Sequence, residues 1–237
     1  MANKRKLLLG SYDTAEQLWT LVTCNFSDPV QEHTWVKVPG RHKGPIDVST
    51  ALTDGDPVYG SRTLTATLEC SEGTRLEREA RIEQMVNQLD GYWADIVLPD
   101  DITVFPDGTE AGLRYIRGTL SVKRVFNNLA HAQVQVTAIC EPWKYSTEEH
   151  MVRIIADGSD QSVTLTNSGR KTVVPLLVIE NTADGKAANI MLVYGDYQWM
   201  LGAGTYSLPD LVLKTGEATL LFTGRGTLTF THREAVL

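Results

Sequence analysis

The sequence predicts a mainly β protein of two domains: an N-terminal sandwich or barrel-like β domain carrying one α-helix, then a C-terminal β-sandwich. Three observations carry this prediction. Residues 63–70 and 132–140 alternate strictly between apolar and polar side chains, the period of half-buried antiparallel strands. Between them lies a single capped helical pattern. Beyond residue 146 there is no capped helical pattern, and short strands recur about every ten residues with turns between them.

Taken in order, Lys4-Arg5-Lys6 precedes Leu7-Leu8-Leu9, an apolar stretch too short for a signal-peptide core or a membrane span, so no membrane insertion is expected. Residues 39–62 are too rich in Gly, Pro and Asp for a simple strand and suggest an extended arm. In residues 63–70, Leu64, Ala66, Leu68 and Cys70 share one side. A capping box of Thr74 and Glu77 opens a helix near 74–90, with Ile82, Met85, Val86 and Leu89 as its apolar stripe. The cap is worth only about 1 kcal/mol, so the stripe must find a sheet to pack on. The face bearing Glu77, Arg78, Arg81 and Gln88 is expected to stay wet, and Asp90-Gly91 ends the helix.

Next come a strand at 93–98, a turn at Asp107-Gly108 and a strand at 113–125 that Gly118 should interrupt with a bulge. In 132–140, Ala132, Val134, Val136 and Ala138 face inward and imply a sheet face shared with 63–70. The composition shifts at 141–145, and the polar stretch 146–150 has the character of a connector, which divides the chain into 1–145 and 146–237. The clearest expected piece of the second domain is a terminal hairpin, 219–222 and 227–231, around Gly224-Arg225-Gly226.

Composition narrows the function. With 42% hydrophobic and 22% charged residues the chain is globular, and a formal charge of −7 argues against general nucleic-acid binding, which needs clustered Lys and Arg. Cys24, Cys70 and Cys140 lack CxxC spacing, which suits free thiols in a reducing cytoplasm. The five histidines show no paired spacing, and Asp54-Gly55-Asp56 lacks the later ligands of a calcium loop. Pro99-Asp100-Asp101 has no evident basic neighbour and suggests a loop tip, while Gly202-Ala203-Gly204 has no following helix and suggests a turn. No GxSxG element occurs, so the expectation is no catalytic residue, no metal ligand and no cofactor. Tyr197, Trp199 and Tyr206 are candidate partner or glycan contacts, with core packing as the competing reading.

Several fragments carry a resemblance. Val38-Pro39-Gly40-Arg41, Ile46-Asp47 and Tyr59-Gly60-Ser61-Arg62 come first, then the capped helix, Leu89-Asp90-Gly91 and Gly118-Thr119-Leu120. Cys140-Glu-Pro-Trp-Lys-Tyr145 closes the first domain and is the most specific element. Asn167-Ser-Gly169, Pro175, Gly224-Arg-Gly226 and His232-Arg233-Glu234 follow. In this order they resemble the distal tail proteins of long-tailed, non-contractile (siphovirus-type) bacteriophages.

The resemblance implies a structural virion protein, made in the host cytoplasm. Its N-terminal domains would form a homo-oligomeric ring, hexameric in typical members, with a galectin-like sandwich outside it. The ring would be a hub joining the tail-tube protein to the tail-tip or host-adsorption apparatus. Its channel would take the tape-measure protein and later the DNA. A ring needs heterologous contacts, for which Pro39, Gly40, Arg41, Tyr59 and Arg62 are the candidate interface arm. The second half lacks the long insertion that holds a sugar-binding module in some members, which counts against direct glycan binding. The competing reading is a carbohydrate-binding module or adhesin of a tail tip, resting on Tyr197 and Trp199.

Overall fold

The two alternating runs find each other directly: Ala132 pairs with Cys70 and Cys140 with Arg62, in antiparallel register throughout. In this computed structural model residues 6–37, 39, 44–51, 53, 56–107 and 109–237 are described. Contacts divide the chain into Met1–Lys144 with Leu237, and Tyr145–Val236.

The first unit contains β1 (Leu8–Leu9), β2 (Tyr12–Asp13), β3 (Thr20–Phe26), β4 (Trp35–Val36), β5 (Ile46–Asp47) and β6 (Arg62–Cys70). Then follow α1 (Arg75–Leu89), β7 (Trp93–Val97), β8 (Ile102–Val104), β9 (Glu110–Gly112), β10 (Arg114–Asn127) and β11 (Ala132–Ser146). Its main sheet runs β2-β1-β7-β10-β11-β6-β3. Leu64, Ala66, Leu68, Val134 and Val136 are fully buried on one face, joined by Ile82, Met85 and Leu89 of the helix. The helix owes its start to Thr74, whose hydroxyl accepts from the Glu77 amide while the Glu77 carboxylate accepts from the Thr74 amide.

Arg78 departs from expectation. It is buried, not wet, and its guanidinium donates to the carbonyls of Gly73, Asn128 (2.8 Å) and Leu129 (3.0 Å). A buried guanidinium is tolerable here because it satisfies carbonyls at the helix start and in the β10–β11 turn. Gly118 pairs in register with Ala94, so the ladder to β7 has no bulge there. A Cβ there would lie 2.7 Å from Cys140 Sγ and 2.9 Å from the Ile139 carbonyl, so close strand approach requires this glycine. The register shift lies instead in β3, between Leu21 and Thr23.

The second unit comprises β12 (His150–Asp157), β13 (Gln161–Asn167), β14 (Leu176–Glu180), β15 (Asn189–Tyr194), β16 (Tyr197–Leu201), β17 (Gly204–Ser207), β18 (Gly216–His232) and β19 (Ala235–Val236). The expected connector shrinks to residues 147–149. Ser146 stays extended because its amide donates to the Glu234 carbonyl and its own carbonyl accepts from Arg233.

The expected terminal hairpin is one continuous strand. The first half of β18 pairs with β13 and β15, and its second half with β12 and β14. β18 therefore belongs to both leaves of a sandwich, with Leu220, Phe222, Leu228 and Phe230 in the shared core. Gly224 and Gly226 (φ 131° and 150°) turn its corner, and a Cβ on Gly224 would meet the Asn189 carbonyl at 2.0 Å. The fold is mainly β, and α1 is the one α-helix among the described residues.

Candidate functional site

The segment between β3 and β6 stands apart from the main sheet. Its two ends run together: the Ser27 amide donates to the Thr63 carbonyl at 3.0 Å, the Gly60 amide to Val30 at 2.9 Å, and the Glu32 amide to Val58 at 2.8 Å. Farther out, β4 and β5 pair through Trp35 with Asp47 and Val36 with Ile46, a separate two-stranded sheet. Its polar side is well knit. His33 Nδ1 lies 2.8 Å from the Asp47 carboxylate, and Asp47 accepts from both the hydroxyl and the amide of Ser49. Those bonds, Ser49 first and His33 after, hold the Asp47 carboxyl down at about 2.

Several apolar side chains on this arm are exposed, whereas Val48, Val58 and Tyr59 are half-buried. Val30 is 70% exposed, Trp35 60%, Val36 44% and Ile46 36%. Val36 and Ile46 pair across one face of this ribbon, while Trp35 lies on the other, opposite Asp47 and stacked on the His33 ring; an isolated two-stranded ribbon is marginal in water.

Of the residues predicted for this arm, Pro39 is exposed, whereas Gly40 and Arg41 lie outside the described residues. Tyr59 sits at the base, its ring edge-on to Trp143 with centroids 5.5 Å apart. Arg62 is buried. Its guanidinium lies 3.8 Å over the Phe26 ring and donates to the carbonyls of Ser27 (2.7 Å) and Pro142 (3.4 Å). Burial pulls its pKa down, against the opposing pull of Asp28. The structure thus brings Tyr59 and Arg62 together at the root of the arm. Ile46 falls inside the expected arm, but Trp35 and Val36, exposed apolar residues just before it, carry no expectation in the sequence. The available signal was a Trp-Val pair inside an aperiodic polar stretch.

A groove of about 410 Å³ runs beside β3, lined by Leu21, Val22, Phe26, Leu98 and Lys144 among others. At its rim Pro99–Asp101 forms a short 3₁₀ turn rather than a loop tip. Asp101 is buried and does have a basic partner, Lys144 Nζ at 2.7 Å.

In the second unit the aromatics do not form one platform. Tyr197 and Trp199 stack on β16 with centroids 5.9 Å apart, but Trp199 is partly buried against the core and only Tyr197 is well exposed. Tyr206 also packs on the core and donates to the Gly202 carbonyl at 3.2 Å. β16 and β17 lie at opposite ends of the sheet order. Among the described residues no group of three or more His, Cys, Asp or Glu is placed to hold a metal ion, and no helix is long and apolar enough to cross a membrane.

No family model and no curated protein matches the chain. Among solved structures, the SPP1 Dit (gp 19.1) protein, described as a paradigm of hub adsorption apparatus in phages infecting Gram-positive bacteria, aligns over 96% of this chain and 98% of its own. The TM-score is 0.61 at 15% identity. The chain has the Dit fold. Two structures of the phage p2 baseplate in its activated conformation, with Sr and with Ca, align over 95% and 97% of this chain and 96% and 97% of theirs. Their TM-scores of 0.47 and 0.45, at 8% identity, add no weight. What the Dit likeness contributes is the fold, over nearly the whole of both chains.

Proposed function

We propose that this chain is a structural hub subunit of a bacteriophage tail. The observation that carries the reading is the Dit fold, which extends through nearly the full length of both chains. In this reading the first unit assembles into a closed ring, six subunits as in typical distal tail proteins. The ring joins the tail-tube protein to the tail-tip apparatus, and the tape-measure protein and then the DNA occupy its channel. The chain is a virion component and its work is assembly, not catalysis.

A closed ring needs two different patches on each subunit. The arm supplies one, because Val30, Trp35, Val36 and Ile46 are exposed on it. Pro39 lies between Val36 and Ile46 and Tyr59 packs at the base on Trp143, so the arm meets the neighbouring subunit through its outer part and is rooted at Arg62. Stable contacts of this kind bury more than about 1,000 Å² in total, so the arm must act together with the body of the unit. The chain divides for this purpose into a ring-forming part, 1–145, and an outer sandwich, 146–237.

The test is direct. Light scattering on the purified chain should give the mass of a closed oligomer, and removal of residues 41–59 should leave monomers. Oligomers that survive the deletion would remove residues 41–59 from the interface.

A further inference from the structure

The arm leaves the first unit after Phe26 and returns at Arg62, and one side chain ties these two points together. The Arg62 guanidinium covers the Phe26 ring at 3.8 Å, its Nε donates to the Ser27 carbonyl at 2.7 Å, and its Nη1 donates to Pro142 on β11 at 3.4 Å. Phe26 ends β3, Arg62 begins β6, and Pro142 lies on the strand paired with β6. Beside this contact the Tyr59 ring meets Trp143 edge-on. Arg62 is 5% exposed, so little of it remains to touch another molecule.

We infer that Arg62 is the positioning residue of the arm, setting the direction in which it leaves the unit without itself contacting a neighbouring subunit. The inference rests on the reading of this segment as an assembly arm. Its physical basis is the planar guanidinium, which stacks on an aromatic face while its edge donates to two carbonyls. Lysine can supply the charge but not the stacked plane with its fork. Above the clamp the two limbs are joined by the Val30–Gly60 and Glu32–Val58 bonds. A ribbon this narrow keeps its direction only if its base is fixed.

Hydrogen–deuterium exchange of the full chain tests the clamp. In Arg62→Ala the amides of Glu32 and Gly60 should exchange about tenfold faster or more, as expected for losing charge-assisted bonds. Amides of α1 and of the β10–β7 ladder should be unchanged. Phe26→Leu keeps the core apolar but removes the aromatic face, and should speed the same two amides about threefold. It also carries the test if Arg62→Ala fails to fold. Arg62→Lys should fall between the wild type and the alanine variant. Unchanged exchange at Glu32 and Gly60, or an equal rise across the whole unit, would overturn the clamp while leaving the hub reading standing. A wild-type chain that stays monomeric, yet shows selective loosening of the arm in the variants, would support the clamp and count against the hub.

Discussion

His232 sits where β18 ends, with Nε2 3.0 Å from the Thr166 carbonyl and its ring stacked on His150 at 5.3 Å. Nε2 donates to that carbonyl, so Nδ1 is the basic nitrogen, and it is buried with no hydrogen-bond partner among the described residues. The charged groups facing it are His150 and Glu234; the latter accepts from the Ser168 amide and lies 3.4 Å from His150 Nε2. Burial, chiefly, and then His150 push the His232 pKa below its ordinary 6.5, against the Thr166 and Glu234 contributions. The unfolded chain therefore binds this proton more tightly than the folded one. The resulting stability is complete above the unfolded pKa and is lost as pH falls toward the folded value. Thermal unfolding should show a transition that drops as pH falls through the unfolded histidine value of about 6.5 toward the lower folded one. In His232→Gln, where an amide can still donate to Thr166, the drop should flatten. Parallel slopes in the two proteins would contradict this assignment. Arg78 gives a second residue-level prediction: Arg78→Ala strands three carbonyls and should cost about 2–4 kcal/mol in denaturant unfolding. Its burial was legible in principle, since Arg78 precedes Ile82, Met85 and Leu89 on the same helical stripe. Its charge points to solvent, whereas two of the carbonyls that accept it come from the distant β10–β11 turn.

At the scale of elements, the periodic strands β6 and β11 and the capped helix were legible because period and capping are local properties. β18 was not. Gly224-Arg225-Gly226 has the same letters whether it closes a hairpin or bends one strand through a sandwich corner. The choice is made by β15, whose Asn189 carbonyl occupies the space of any Cβ at residue 224. Gly224→Ala should therefore destabilise the second unit by about 3 kcal/mol or more. Gly216, equally positive in φ at 112° but with open space around it, should tolerate alanine better. Comparing the two variants in denaturant separates close approach from backbone strain, and equal losses would contradict the corner. The arm was legible only as an irregular segment rich in Gly, Pro and Asp, because β4 and β5 are two residues each and too short to show a period. Its exposed side chains give a sharp expectation. Trp35→Ser with Ile46→Ser should change the unfolding free energy of the isolated chain by no more than about 0.5 kcal/mol each, yet weaken self-association at least tenfold in sedimentation. A large loss of fold stability would show that these residues are packed within their own subunit.

For the whole molecule, the two-unit, mainly β architecture and the likeness to the Dit fold rest on features spread along the chain. Assembly is a different matter. The interface of a ring exists only when a neighbour is present, and no period or cap in one chain encodes where that neighbour sits. What the single chain does show is a ribbon with exposed apolar side chains, tied down at its base. The most direct measurement is the mass of the purified protein by light scattering, with negatively stained images of the same particles. A hub subunit is expected to give a closed ring with a central hole and a mass about six times the 26.2 kDa of one chain. A monodisperse monomer, at concentrations where ring-forming subunits associate, would contradict it.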